Sequence, residues 1–337
     1  MTVHITDLHG MAYFSVAQIA QNMVTKIATN ELNFDPFTIY FYTWKDEPVD
    51  VISARFDGII AALQDGDTVV IQSPSWNTIE WDQKFIDRIS IYRNIKKVIF
   101  VEDIPPLMFE SNEYMLPQYI DYYNKADVLI LASRKLYDYL RVHGLKQKKV
   151  VIQHMWDHIS QVNPYIIPKN KKVINFAGDP KKFDFVKDWS SENVKLNVYS
   201  EPLEGVNNPN ITFTGWQDDP VLINSLRKAG GFGLVWSEEP YWSKYMKMNA
   251  SYKLSTYLAA GIPLIVNSDT PEKDTIVNKK LGIIADSIDE AVDKVEHMSD
   301  MRYNEMKDSI GEFAKLIRGG YFTKRALIEA VFKAQYE

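Results

Sequence analysis

The sequence predicts an α/β protein built from two successive doubly wound parallel-sheet domains. Three observations carry that expectation. Strand and helix patterns alternate from one end of the chain to the other, the order that crossover connections impose on a parallel sheet. The strand runs, such as Val69-Val70-Ile71 and Val128-Leu129-Ile130-Leu131, are nearly continuous in apolar residues, as strands buried on both faces require. The alternation pauses at Gln161–Asn170 (QVNPYIIPKN), which holds two prolines and no clear periodicity, the mark of a linker. Residues 1–160 are therefore expected to form a first domain, 161–170 a linker, 171–318 a second domain and 319–337 a helical tail.

The elements follow in order. Val3–Leu8 reads as the first strand. Ser15–Asn30 has helical spacing in Val16, Ile19, Ala20, Met23 and Ile27, with Ser15 as N-cap. Strand Phe37–Thr43, helix Val51–Leu63, strand Asp67–Gln72 and helix Ile79–Tyr92 come next. Strand Lys97–Val101, helix Tyr114–Lys125, strand Asp127–Ala132, helix Lys135–His143 and strand Lys149–Gln153 complete the first set. The second set opens with strand Lys172–Phe176, helix Phe183–Trp189 and strands Lys195–Tyr199 and Ile211–Thr214. Helix Pro220–Ala229 leads to strand Phe232–Trp236, helix Tyr252–Ala260 and strand Pro263–Asn267. Helix Pro271–Asn278, strand Gly282–Ala285 and helix Asp289–His297 follow. The tail Met301–Tyr336 is helical and broken at Arg318–Tyr321 (RGGY). Ligands in such sheets sit at the carboxyl ends of the strands, so two facing sheets are expected to share one cleft.

Composition narrows the function. The chain has 337 residues, enough for two cores, and a net charge of −6 without long runs of one sign, which argues against non-specific nucleic-acid binding. It has no cysteine, hence no disulfide and no thiolate metal site. No apolar run approaches membrane-spanning length, and the first residues lack a basic-then-apolar signal; a bacterial cytoplasmic protein is the simplest expectation. Neither domain shows G-x-G-x-x-G after its first strand, and no P-loop or G-x-S-x-G elbow occurs, which speaks against dinucleotide, P-loop and α/β-hydrolase chemistry.

The most informative segment is Ser251–Val266 (SYKLSTYLAAGIPLIV). It reads as a short helix stopped by Gly261 and turned through Pro263 into a buried strand. Its first turn aims Lys253, Ser255, Thr256 and free N–H groups at one crevice, which suits a diphosphate. The loop Asn175–Lys182 (NFAGDPKK) ends a neighbouring strand; Gly178 allows close backbone approach, and Lys181 and Lys182 can reach a phosphate. Taken alone this loop reads as a solvated, positively charged turn, and Lys253 reads equally as a helix-surface lysine; combined, two cations from neighbouring strand ends converge on one crevice. His154 and His158 stand at i, i+4, but no third ligand and no adjacent Glu is evident, so an aromatic hinge-side segment is the favoured reading over a metal site. Asp7, His9, Glu102 and Asp103 all follow strands and are each able to take a proton from a hydroxyl, or to serve as caps or surface charges. Ser73–Asn77 (SPSWN) places Trp76 and Asn77 at a strand end, an indole and an amide that suit a sugar ring, or a Trp packed under its own helix.

These pieces resemble glycosyltransferases of the GT-B architecture, two Rossmann-like domains of which the second binds the nucleotide-sugar. Lys253, Tyr257, Ala259, Gly261, Pro263 and Ile265 stand where retaining members carry Lys…Glu-Tyr-x-Ala-x-Gly-x-Pro-Val-Ile, with Thr256 in place of the Glu that holds the ribose. Val3–Asn22, Val69–Asn77, Asn175–Phe183, Phe213–Trp216 (FTGW) and Ser251–Val266 are similar to the glucosyltransferase 3 family of bacterial serine-rich-repeat adhesin glycosylation. That resemblance implies transfer from UDP-glucose or UDP-N-acetylglucosamine to N-acetylglucosamine (GlcNAc) already on Ser or Thr of the adhesin. It implies Lys253 on the donor diphosphate, with Asn249 and Ser255 beside it and Gly178 and Lys182 lining the pocket. It places Trp216 against the uracil, and Gly10 and Ser15 at the sugar and phosphate. It also implies a homotetramer, with the tail as an assembly or domain-crossing element.

The expectation that results is a metal-independent UDP-sugar transferase needing no cofactor. Lys253 and Lys182 stabilise the leaving diphosphate in place of a metal, a route that the absence of an Asp-x-Asp between strand and helix fits. Asp7 or Asp103 is the base, Trp76 and Asn77 hold the acceptor, and Thr256 makes one donor contact. The rival readings are a galactofuranosyltransferase or nucleotide-sugar epimerase on the same fold, or a non-catalytic chaperone subunit.

Overall fold

The computed structural model describes residues 1–12, 15–42, 47–147 and 149–337. Its backbone divides into two compact units, Met1–Gln153 with Thr323–Glu337, and His154–Phe322.

The first unit alternates as the apolar pattern dictates: β1 (Val3–His9), α1 (Val16–Leu32), β2 (Asp35–Tyr40), α2 (Val49–Ile59), β3 (Thr68–Ser73) and α3 (Ile79–Ile89). Then come β4 (Lys96–Val101), α4 (Pro105–Met108), α5 (Leu116–Tyr123), β5 (Val128–Leu131), α6 (Arg134–Val142) and β6 (Val150–Ile152). The strands form one sheet in the order β2-β1-β3-β4-β5-β6, with every pairing parallel. Ile5, Val70, Val98 and Leu129 are fully buried, because helices cover both faces. Hydroxyl caps start the helices: Ser15 accepts the Gln18 N–H, Thr78 that of Trp81 and Ser133 that of Leu136.

The second unit repeats the scheme with β7 (Val173–Phe176), β8 (Lys195–Val198), β9 (Ile211–Phe213), α7 (Asp219–Ala229), β10 (Phe232–Val235) and α8 (Pro240–Met246). It continues through α9 (Tyr252–Ala260), β11 (Leu264–Val266), α10 (Lys273–Asn278), β12 (Gly282–Ile284), α11 (Ile288–Glu296) and α12 (Asp300–Arg318). Its parallel sheet runs β12-β11-β10-β7-β8-β9. After α12 the chain turns at Gly319-Gly320 into α13 (Tyr321–Tyr336), most of which belongs to the first unit. No helix among the described residues is long and apolar enough to cross a membrane.

Three local expectations need correction. The helix expected over Phe183–Trp189 is replaced by two short 3₁₀ turns, Pro180–Lys182 and Asp184–Val186. Phe183 and Phe185 both pack edge-on against Phe176, and an α-helix does not point residues two apart at one neighbour. The helix expected from Tyr114 begins as a 3₁₀ turn, Glu110–Met115, and becomes α-helical at Leu116. The second strand ends at Tyr40, and the expected terminus Thr43 lies outside the described residues.

Helix α9 organises the second unit. Leu254 through Ala260 are all buried, and the helix ends at Gly261 in the left-handed region. Tyr257 crosses over β10 so closely that a Cβ on Gly233 would lie 2.2 Å from its ring; only glycine admits that approach. The Tyr257 hydroxyl then accepts the Ala177 N–H at 2.8 Å, fixing the start of the loop that follows β7. Tyr257→Phe leaves that N–H without its acceptor and is expected to lower stability by about 1–3 kcal/mol, read from urea unfolding midpoints.

Candidate functional site

In the second sheet the strand order reverses between β7 and β10, and the crevice outside the carboxyl ends of such strands is where doubly wound sheets bind ligands. Two segments reach this end. The loop after β7 carries half-buried Gly178 and then Asp179, which accepts the Lys181 N–H at 3.0 Å and so caps the turn holding Lys181 and Lys182. The first turn of α9 carries Lys253.

Burial pushes the Lys253 ammonium below the ordinary lysine value, and the nearby charge of Lys182 pushes it further. The two lysines expected to converge are therefore brought together. Lys253 is half-buried and Lys182 exposed. Neither has a carboxylate partner among the described residues. Two like charges, one partly desolvated, with no internal counter-charge form a site that gains free energy from an anion.

The hydroxyls of α9 take another role. The Ser255 side chain is fully buried and donates to the Trp156 carbonyl at 2.5 Å. Thr256 is 4% exposed; its hydroxyl donates to the Tyr252 carbonyl at 3.1 Å and lies 3.2 Å from Nδ1 of His158. The His158 ring stacks on Tyr252, and its Nε2 lies 3.3 Å from Oδ2 of Asp219. Ser255 and Thr256 thus clamp the 156–158 segment to α9 rather than facing the crevice, because the helix turns positions 255 and 256 toward the core. His154 pairs separately with Glu272 at 3.0 Å. Among the described residues no group of three or more His, Cys, Asp or Glu side chains could hold a metal.

Asn249 is half-buried; its Oδ1 accepts the Ala250 N–H at 2.9 Å, and it lines a cavity of about 20 Å³ with Ser251 and Leu254, a space for a water molecule rather than a substrate. Trp216 follows β9 on the same carboxyl edge of the sheet, two strands from β7, and is 45% exposed.

In the first unit, Asp7 near the end of β1 lies 2.8 Å from Nε2 of His9 and accepts from Nδ2 of Asn22 at 2.9 Å. The imidazole is half exposed and the carboxylate mostly covered, the arrangement of a base and its orienting group. Gly10 follows with φ +89°, and a Cβ there would strike the Tyr40 ring at 2.7 Å. The Ser15 hydroxyl is occupied in capping α1. Beyond β4, Asp103 is half-buried, while Glu102 is buried with an unpartnered Oε1, and burial pushes its carboxyl well up. Trp76 adopts φ +63°, a strained conformation for a bulky residue that costs on the order of 1–3 kcal/mol. Its indole N–H and the Asn77 Nδ2 are buried without partners among the described residues.

Sequence reasoning missed Asp82, a 3% exposed acid on α3 beneath this loop. The signal was present: Asp82 falls at helical spacing between Ile79 and Phe85–Ile86 on the apolar face. Ser255→Ala removes the hydroxyl from the Trp156 carbonyl. It is expected to lower stability by about 1–3 kcal/mol while leaving diphosphate affinity within about twofold, checked by urea unfolding and calorimetric titration.

Comparison with known proteins agrees with this architecture. Residues 2–155 match the glucosyltransferase 3-like N-terminal domain and residues 174–330 the corresponding C-terminal domain. Glucosyltransferase 3 of Streptococcus parasanguinis is 39% identical over 335 residues, covering 99% of both chains. Among solved structures, sucrose-phosphate synthase from Thermosynechococcus elongatus superposes with a TM-score of 0.69 at 11% identity, covering 99% of both chains. Anabaena HepE, solved with UDP and glucose, gives a TM-score of 0.65 at 11% identity, covering 98% of this chain and 99% of its own. The last two are likenesses of fold, and the fold is GT-B. The chain belongs to the glucosyltransferase 3-like family of glycosyltransferases.

Proposed function

We propose that this glycosyltransferase moves glucose or GlcNAc from a UDP-sugar onto GlcNAc already attached to Ser or Thr of a serine-rich-repeat adhesin, without a metal ion. The observation that carries the reading is the unneutralised pair Lys253 and Lys182 at the β7/β10 end of the second sheet. The name of the Streptococcus relative and the UDP bound in HepE support a sugar-nucleotide donor. In this reading Lys253 and Lys182 hold the diphosphate, with Gly178 and Asn249 alongside and Trp216 against the uracil. In the first unit Gly10 and Ser15 are assigned to the sugar and its phosphate, and Trp76 and Asn77 to the acceptor.

In the reaction, the acceptor hydroxyl oxygen bonds to the anomeric carbon as the bond from that carbon to the diphosphate oxygen breaks. The electron pair leaves with UDP, and the two ammonium groups offset its growing charge. The proton passes to Asp7 with His9, or to Asp103. Asp7 is the better prepared, because Asn22 and His9 already fix its two oxygens.

Incubation with a panel of UDP-sugars and a GlcNAc-bearing peptide, read by mass, is expected to show one added hexose or N-acetylhexosamine; a donor consumed without any change in the peptide contradicts the reading. Lys253→Met is expected to weaken UDP binding by about ten- to a hundredfold without lowering the unfolding midpoint, because the charge it removes is desolvated and repelled by Lys182. The pH dependence has a fixed sign. Lys253 is held below the ordinary lysine value, so UDP affinity falls as alkaline pH removes its proton, earlier than for an exposed lysine. Lys253→Arg keeps its charge and is expected to move that loss to higher pH, measured by titration across the alkaline range.

A further inference from the structure

The left-handed Trp76 (φ +63°) persists because its surroundings over-determine it. Asp82 on α3 accepts the Ser75 backbone N–H at 3.3 Å, and the Ser75 hydroxyl bonds the same carboxyl. The Ser75 oxygen in turn accepts the Asn77 N–H at 3.4 Å. Nε2 of Gln21 donates to the Pro74 carbonyl at 2.9 Å, and Oδ1 of Asn77 accepts the Tyr42 N–H at 3.1 Å. Trp76 is thus gripped at 74, 75 and 77, and Asp82 reaches both of its chain neighbours through Ser75. A buried acid on the apolar face of a helix costs stability. Nothing in the packing of α3 requires it, since its neighbours Ile79, Trp81, Phe85 and Ile86 are all buried hydrophobics.

We propose that Asp82 is a positioning residue: acting through Ser75, it holds the strained Trp76 so that the indole serves as the stacking surface for the acceptor pyranose. The proposal rests on the transferase reading above. Burial pushes the Asp82 carboxyl up to about 7. The groups facing it are Glu80 on its own helix and Tyr119, Tyr122 and Tyr123 on α5, with phenols all pushed up by burial and neutral in this range. Asp103, after β4, acts on Tyr123 and on Glu102. The folded value lies above the ordinary one, so the stability that Asp82 contributes is lost as pH rises through about 7. The bonds to Ser75, in contrast, strengthen when the carboxyl ionises, so acceptor binding improves over the same interval.

The test is steady-state kinetics of Asp82→Asn with UDP-sugar and a GlcNAc-bearing peptide, alongside thermal unfolding. At about pH 8 the variant is expected to unfold at a higher temperature, because a buried charge is gone. Its acceptor KM is expected to rise about tenfold with donor KM unchanged, and the wild-type rise of acceptor KM on the acid side of neutrality is expected to disappear. Ser75→Ala is expected to raise acceptor KM alone in the same way. In a Trp76→Ala background Asp82→Asn is expected to add nothing, since both act on one indole. Wild-type transfer with an acceptor KM that neither Asp82→Asn nor Ser75→Ala moves, or with donor and acceptor KM moving together, overturns the proposal alone. A wild-type chain that binds UDP yet modifies no peptide overturns the transferase reading, and this proposal with it.

Discussion

Two ammonium groups with no counter-charge among the described residues are the constraint around which the second unit is built. Bringing Lys253 and Lys182 together costs Coulomb repulsion, and half-burying Lys253 costs desolvation. The fold meets both costs through rigid neighbours. Gly233 lets Tyr257 lie on β10, and the Tyr257 hydroxyl holds Ala177 at the head of the β7 loop. The same helix that carries Lys253 therefore fixes the loop that carries Lys182. A diphosphate entering there meets charges already in place, which is the condition for stabilising a leaving group without reorganisation.

The inward face of α9 explains the departure from the retaining GT-B pattern at position 256. A Glu there would sit at a 4% exposed position, among the His158 ring, the Tyr252 carbonyl and the reach of Asp219. A carboxylate in that place is costly unless paired. Thr256 instead makes neutral hydrogen bonds to the 156–158 segment, which Ser255 also grips from one residue earlier. The segment of α9 that turns outward deals with charge, and the part that turns inward deals with packing.

Much of the architecture was legible because parallel strands buried on both faces leave continuous apolar runs, and helices over them leave a period of 3.6. The alternation of both units, the glycine stop of α9 and the break before α13 all follow from such local signals. The meeting of Lys253 with Lys182 was legible too, since strand ends of one sheet share an edge. The direction in which individual side chains point was not. Phe183 and Phe185 read as a helix until Phe176 drew both to one side. Ser255 and Thr256 read as ligand contacts because the register of a short helix against its sheet depends on partners, here Trp156 and His158, nearly a hundred residues away in the chain. The short helix α8 left no apolar period; its start is set by the Glu239 carboxylate, which accepts the Tyr241 and Trp242 N–H groups. The link from Asp82 to Trp76 is short in sequence, seven residues from Asp82 to Ser75, but depends on the path of the loop before α3.

The most direct measurement of the central claim is a calorimetric titration of the intact chain with UDP, UMP and uridine. If the lysine pair is the diphosphate site, UDP binds at least about tenfold more tightly than UMP, and replacing Lys253 with Met nearly erases that difference. Equal affinities for UDP and UMP, or a difference that survives the substitution, would show that the two ammonium groups are not what receives the departing diphosphate.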